Sequence, residues 1–171
     1  MTGTIPSSLG GLVHMLWLDA SLNILSGTIP VSLGSSCMLK DLRLHGNRLN
    51  NHIPQSLCNN ANVNGGRTVK YGCNAILCLL GTFSDHGVAT DPGGCKKCPQ
   101  GQTTIYLGST ECIKLDQNDL LSMLFDVLDG DNWPDDFKKG WKEDKISVCQ
   151  WAGVICDNEH TIVGLSFPGS V

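Results

Sequence analysis

The sequence predicts an α+β repeat solenoid of short parallel strands, followed by a small disulfide-rich module and a helix-containing C-terminal segment. Three observations lead there. A 24-residue period runs through the first sixty residues, six of the nine cysteines fall between Cys58 and Cys112, and an amphipathic helical pattern starts near Leu120. The segments implied are 1–72, 73–113 and 114–171.

The period comes first, because a repeat organises everything built on it. Ile5-Pro6 returns as Ile29-Pro30 and as Ile53-Pro54, and Leu9, Leu33 and Leu57 keep the same spacing. Met15, Leu18, Ala20, Asn23 and Leu25 align with Leu39, Leu42, Leu44, Asn47 and Leu49. Alternate residues of a strand face opposite ways, so Leu42 and Leu44 point to a shared core. Asn23 and Asn47 carry short amides that can satisfy backbone groups where the chain leaves the strand. Proline then holds the return segment extended. One unit buries little by itself; stacking completes the core.

These residues resemble the plant-type leucine-rich repeat, with Asn on the turn and Gly-x-Ile-Pro after it. Ser26-Gly27-Thr28-Ile29-Pro30 matches that phrase, and the next unit departs from it with Asn51 where Gly is usual. The resemblance implies a concave strand face that contacts ligand. Carried onto this chain, that face holds Trp17, Asp19 and Ser21 from one unit and Asp41, Arg43 and His45 from the next. Solvated strand positions are the plain alternative for the polar members, whereas an exposed tryptophan is a frequent interface anchor.

After Leu57 the repeat decays, and Thr68-Val69-Lys70-Tyr71 reads as a last strand closing the stack. Exposed solenoid ends need a cap, and a Cys58–Cys73 bridge can staple one. The phrases Cys78-Leu-Leu-Gly-Thr-Phe-Ser84 and Cys95-Lys-Lys-Cys98-Pro-Gln-Gly101 are similar to the cysteine-rich repeats of ephrin-receptor-like ectodomains. That likeness implies Cys78–Cys95 and Cys98–Cys112, although six cysteines by themselves allow fifteen connectivities. A second reading takes Cys73, Cys78, Cys95 and Cys98 as a structural zinc set of ribbon-like spacing; the density of cysteine favours disulfides. Cys37 is left over, and a buried free thiol there behaves as a small hydrophobe.

Leu120, Leu121, Leu124, Phe125 and Leu128 follow the spacing of one helix face, with Asp116 or Asp119 as its cap and Gly130 and Pro134 beyond its end. Cys149-Gln-Trp151-Ala-Gly153-Val154-Ile-Cys156 resembles the N-terminal cap of plant-type leucine-rich-repeat ectodomains, which implies a Cys149–Cys156 bridge. Ile162-Val-Gly-Leu165-Ser-Phe167-Pro168 then reads as the first strand of a second array, cut off at Val171. The chain so read is a fragment of a larger protein. The aspartates 126, 129, 131, 135 and 136 lack EF-hand spacing, because Leu128 and Gly130 stand at the third and fifth positions counted from Asp126.

Charge narrows the partners. Residues 1–112 carry seven Lys/Arg against five Asp/Glu, and residues 113–171 carry five against eleven. No basic tract follows a phosphate backbone, so nucleic acid is not an expected partner. There is no membrane-length apolar run, no signal peptide and no Asn-x-Ser/Thr sequon. The five histidines are scattered, and no nucleophile elbow, phosphate loop or metal-binding His pair occurs. No catalytic residue, metal or cofactor is therefore expected. The function predicted is an extracellular or cell-surface recognition module for a protein, peptide or glycan, from a parent that is soluble or membrane-anchored. The alternatives are a cell-wall or matrix scaffold and a zinc-stabilised intracellular adaptor.

Overall fold

The computed structural model describes residues 1–143 and 145–167, so Pro168 and Val171 of the expected second array lie outside the described residues. Two compact units make up the chain, Met1–Lys114 and Leu115–Val171.

The first unit opens with five short extended segments. They are β1 (Thr2–Thr4), β2 (Trp17–Asp19), β3 (Ile24–Gly27), β4 (Asp41–Arg43) and β5 (Arg48–Leu49). Two of them, β2 and β4, place a leucine between outward residues. β2 and β4 pair in parallel with Trp17 opposite Asp41 and Asp19 opposite Arg43, a separation of 24 residues. β1, β3 and β5 form a second parallel sheet, where Thr2 lies opposite Ile24 and Ser26 opposite Arg48, a separation of 22. Between the strands the backbones approach closely. A Cβ on Gly34 would stand 1.8 Å from Ser56 Oγ, so no larger residue fits there. Leu33, Leu39, Leu42, Leu44, Leu49 and Leu57 are fully buried in one core, which also takes in Ile76, Leu77 and Leu107 of the cysteine-rich segment.

Helix α1 (Gln55–Cys58) and helix α2 (Arg67–Tyr71) follow, then a small antiparallel pair, β6 (Thr82–Phe83) with β7 (Lys96–Lys97). Cys58 bonds Cys73, Cys78 bonds Cys95, and Cys98 bonds Cys112. Each cysteine of the candidate zinc set is thus half of a cystine. Cys37 is exposed rather than buried among apolar neighbours.

In the second unit, α3 (Gln117–Val127) starts with a capping box, in which Asp116 accepts from the Asp119 amide and Asp119 accepts from the Asp116 amide. It buries Leu121 and Phe125, while Leu120 and Leu128 of the expected apolar face stay exposed. Phe125, Trp133, Trp141 and Trp151 interlock at centroid distances of 5.1 to 5.6 Å, a favourable range for edge and offset contacts. Trp141 Nε1 donates to the Ala152 carbonyl at 2.9 Å. After α4 (Asp135–Lys138), β8 (Val154–Cys156) pairs with β9 (Ile162–Leu165), and Cys149 bonds Cys156.

The expected repeat solenoid is not what these residues form. The described residues make a mixed helix and strand structure with four separate short sheets, of strand orders β1-β3-β5, β2-β4, β6-β7 and β8-β9, none closed and none continued as a coil. Three local features account for the difference. The two parallel sheets pair at unequal separations, 24 and 22, so no single period carries both. Residues 68–71, expected as a closing strand, lie in helix α2. β9, expected to open a second parallel array, pairs antiparallel with β8 instead.

The physical stop is Asn64. Its backbone lies in the left-handed region at φ 54°, followed by Gly65 and Gly66 at φ 68° and 78°, which turns the chain away from extended structure. Its amide then takes the outer edge of β4. Oδ1 accepts from Leu42 N at 2.9 Å, and Nδ2 donates to the carbonyls of Leu42 (3.3 Å) and Ala75 (2.9 Å). A further strand would need those same groups of Leu42. Asn64→Gly keeps the positive φ but removes the amide, leaving buried backbone groups unpaired, and should cost about 1–3 kcal/mol in urea unfolding. An unchanged midpoint would show that Asn64 does not seal this edge.

Each bridge in residues 58–112 closes a loop of 14 to 17 residues, worth about 3 kcal/mol in the chain-entropy picture. Reduction should therefore open this segment first, with limited proteolysis cutting within 58–112 before the parallel strands. First cuts within residues 1–57 after reduction would contradict this order.

Candidate functional site

Outward positions of β2 and β4 bring together the residues that the sequence places on a recognition face. Leu42 and Leu44 turn inward and are buried, so Asp41, Arg43 and His45 face away from the core. Because Trp17 lies opposite Asp41 and Asp19 opposite Arg43, the two strands merge into one surface. Trp17 is 70% exposed, and no aromatic pairing or hydrogen bond holds its ring among the described residues.

The polar residues of this face are already ordered. Arg43 grips Asp41 with two nitrogens, Nη2 to Oδ2 at 2.8 Å and Nε to Oδ1 at 3.3 Å, a fork-type pairing. Its Nη1 lies 3.7 Å from Asp19 Oδ2. Ser21 donates to Asp19 Oδ1 through both its hydroxyl (2.6 Å) and its amide (3.0 Å). Those two bonds, hydroxyl first, hold the Asp19 carboxyl below its usual range, with Arg43 adding a smaller pull. Asp41 in turn raises the Arg43 guanidinium. The Asp19 carboxylate is therefore ionised and engaged at neutral pH.

Beside β4 opens a cavity of about 390 Å³. On the strand side it is lined by Lys40, Asp41, Arg43 and His45, and on the other by Asn64, Arg67, Ala75 and Val88. The cysteine-rich segment thus supplies part of its wall. Nothing in the sequence signalled Arg67 or Val88, because no spacing rule links a strand edge to residues so far along the chain, and Lys40, next to Asp41, falls outside the alternating positions 41, 43 and 45. Asn64 is the exception, as a short amide just past a decaying repeat carries the same signal as Asn23 and Asn47.

Asparagine amides hold this surface in shape. Asn47 Oδ1 accepts from Leu25 N at 2.9 Å, and its Nδ2 donates to the carbonyls of Ala20 (2.8 Å) and Leu44 (2.9 Å). Asn23 Nδ2 donates to Ser21 O at 2.8 Å. Asn51, standing where the repeat pattern has glycine, adopts φ 68°, a conformation asparagine tolerates better than most residues.

Among the described residues, no group of three or more His, Cys, Asp or Glu is placed to hold a metal ion. Three of the five aspartates between residues 126 and 136 engage neighbours, with Asp126 paired to Lys142, Asp129 bonded to Asn132, and Asp135 paired to Lys138. No helix among the described residues is long and apolar enough to cross a membrane. Four disulfides point to an oxidising environment.

Compared with protein-family models and with curated proteins, the chain matches none.

A folded-state carboxyl pKa below the unfolded value stabilises the fold above that value, and the contribution is lost as pH falls through the folded pKa. Asp19 follows this sign. In a carbon-13 carboxyl titration it should therefore titrate below 3.8, its ordinary value, and Ser21→Ala should move it upward. An Asp19 midpoint unmoved by that substitution would remove Ser21 as the cause.

Proposed function

We propose that this chain is a recognition module of an extracellular or cell-surface protein, binding a protein, peptide or glycan through the face formed by β2 and β4. One observation carries the reading: an exposed indole, Trp17, stands on the same two-stranded surface as the pre-paired charges Asp19, Asp41 and Arg43. Exposed tryptophan and arginine are the side chains that most often anchor interfaces, and groups already ordered lose little freedom on binding. The resemblance of the Asn and Gly-x-Ile-Pro phrases to plant-type leucine-rich repeats supports the same role. So do the disulfides, which suit an oxidising exterior.

The geometry favours binding over catalysis. Asp19 is held below its usual carboxyl range by Ser21 and Arg43, so it is not poised as a proton donor near neutral pH, and Asp41 is occupied by the Arg43 fork. The oxidised, full-length chain screened against peptide and glycan arrays tests the reading. Ligands found in this way should lose at least about 30-fold in affinity with Trp17→Ala, the scale of an interface hot spot, and little with Val31→Ala, an exposed position outside this face. Ligands indifferent to Trp17, Asp19 and Arg43 together would place the binding surface elsewhere.

A further inference from the structure

We propose that the cavity beside β4 is a subsite for a carboxylate side chain of an acidic peptide, lying against the Trp17 face; this rests on the recognition reading above. The cavity's charges are lopsided. Lys40, Arg43 and Arg67 line it against a single carboxylate, Asp41. Arg43 already spends its fork on Asp41, which leaves Lys40 and Arg67 to face an incoming ligand.

Neither of these two meets a carboxylate within ion-pair distance among the described residues. Arg67 is half-buried, and its Nε is fixed by the Asn64 carbonyl at 2.9 Å, so the terminal amino groups of its guanidinium remain to donate. The nearby carboxylate of Asp91 feels Arg67 but is engaged by Lys70 and the Tyr71 hydroxyl. A guanidinium held by one nitrogen, with two donor nitrogens left, fits the oxygen pair of a carboxylate.

The wall chooses among carboxylate carriers. Half-buried Val88 offers apolar surface with no side-chain donor or acceptor. That surface suits the methylene stem of glutamate, whereas the ring hydroxyls of an acidic sugar would lose hydrogen bonds to water there without replacement. The cavity volume of about 390 Å³ accommodates such a side chain and the backbone on either side of it.

The test is calorimetric titration of the oxidised full chain with an acetylated, amidated hexaglutamate peptide, with an oligogalacturonate of equal charge in parallel. Hexaglutamate should bind saturably and weaken as salt rises. Arg67→Ala should weaken it about tenfold and Lys40→Ala about threefold, with Arg67→Lys between wild type and Arg67→Ala. Asp41→Asn should strengthen binding about threefold, because it removes the one carboxylate of the cavity and releases Arg43. That gain cannot arise from misfolding. Hexaglutamate binding indifferent to Arg67 and Asp41, tighter binding of the uronate, or no binding of either probe each overturns the proposal. If Trp17-dependent ligands still emerge from the arrays, the recognition reading survives that failure; if they do not, it falls separately.

Discussion

The parallel strands of the first unit depend on asparagine amides that meet backbone groups no neighbouring strand reaches. Strands of two to four residues cannot satisfy their own edges, and an unpaired buried amide or carbonyl costs as much as the bond it lacks. Asn47 and Asn64 are both buried, and each ties one backbone amide and two carbonyls from different stretches of chain. The leucine core supplies most of the favourable free energy. It is the amides that determine which strand lies beside which and where the pairing ends.

The candidate site follows from that constraint. Because Asn64 seals β4, the outer flank of that strand faces a cavity rather than another strand, and residues from Arg67 to Val88 form the opposite wall. The disulfides Cys58–Cys73 and Cys78–Cys95 brace this wall in place of an extended core. Ile76, Leu77 and Leu107 bury themselves against the leucines of the strands, so the cysteine-rich residues also complete the core from which the face is displayed. Rigidity at the face and covalent bracing behind it thus arise from one set of contacts.

The second unit reaches stability differently. A capped helix, four interlocked aromatic rings and a single bridge hold it together. Three of the carboxylates between residues 126 and 136, those of Asp126, Asp129 and Asp135, meet lysine or asparagine neighbours.

Local chemistry was legible in the sequence. Alternation of leucine with polar residues marks β2 and β4 and the outward side chains between them. The spacing of Leu120, Leu121, Leu124, Phe125 and Leu128 marks α3, and Asp116 or Asp119 marks its start, the structure placing Asp116 at the cap. The density of cysteine marks a disulfide-bonded segment. Each of these depends on residues within one or two turns or strands of one another, which is the range over which side-chain periodicity operates. The repeat period suggested a solenoid, but a period records only that similar units recur. Whether a next strand joins is decided by edge hydrogen bonds, and Asn64 had already taken them. The direction of β9, the helix at residues 67–71 and the cavity joining Lys40 to Arg67 and Val88 likewise became visible only in the tertiary structure, because each depends on contacts between stretches that no local pattern relates.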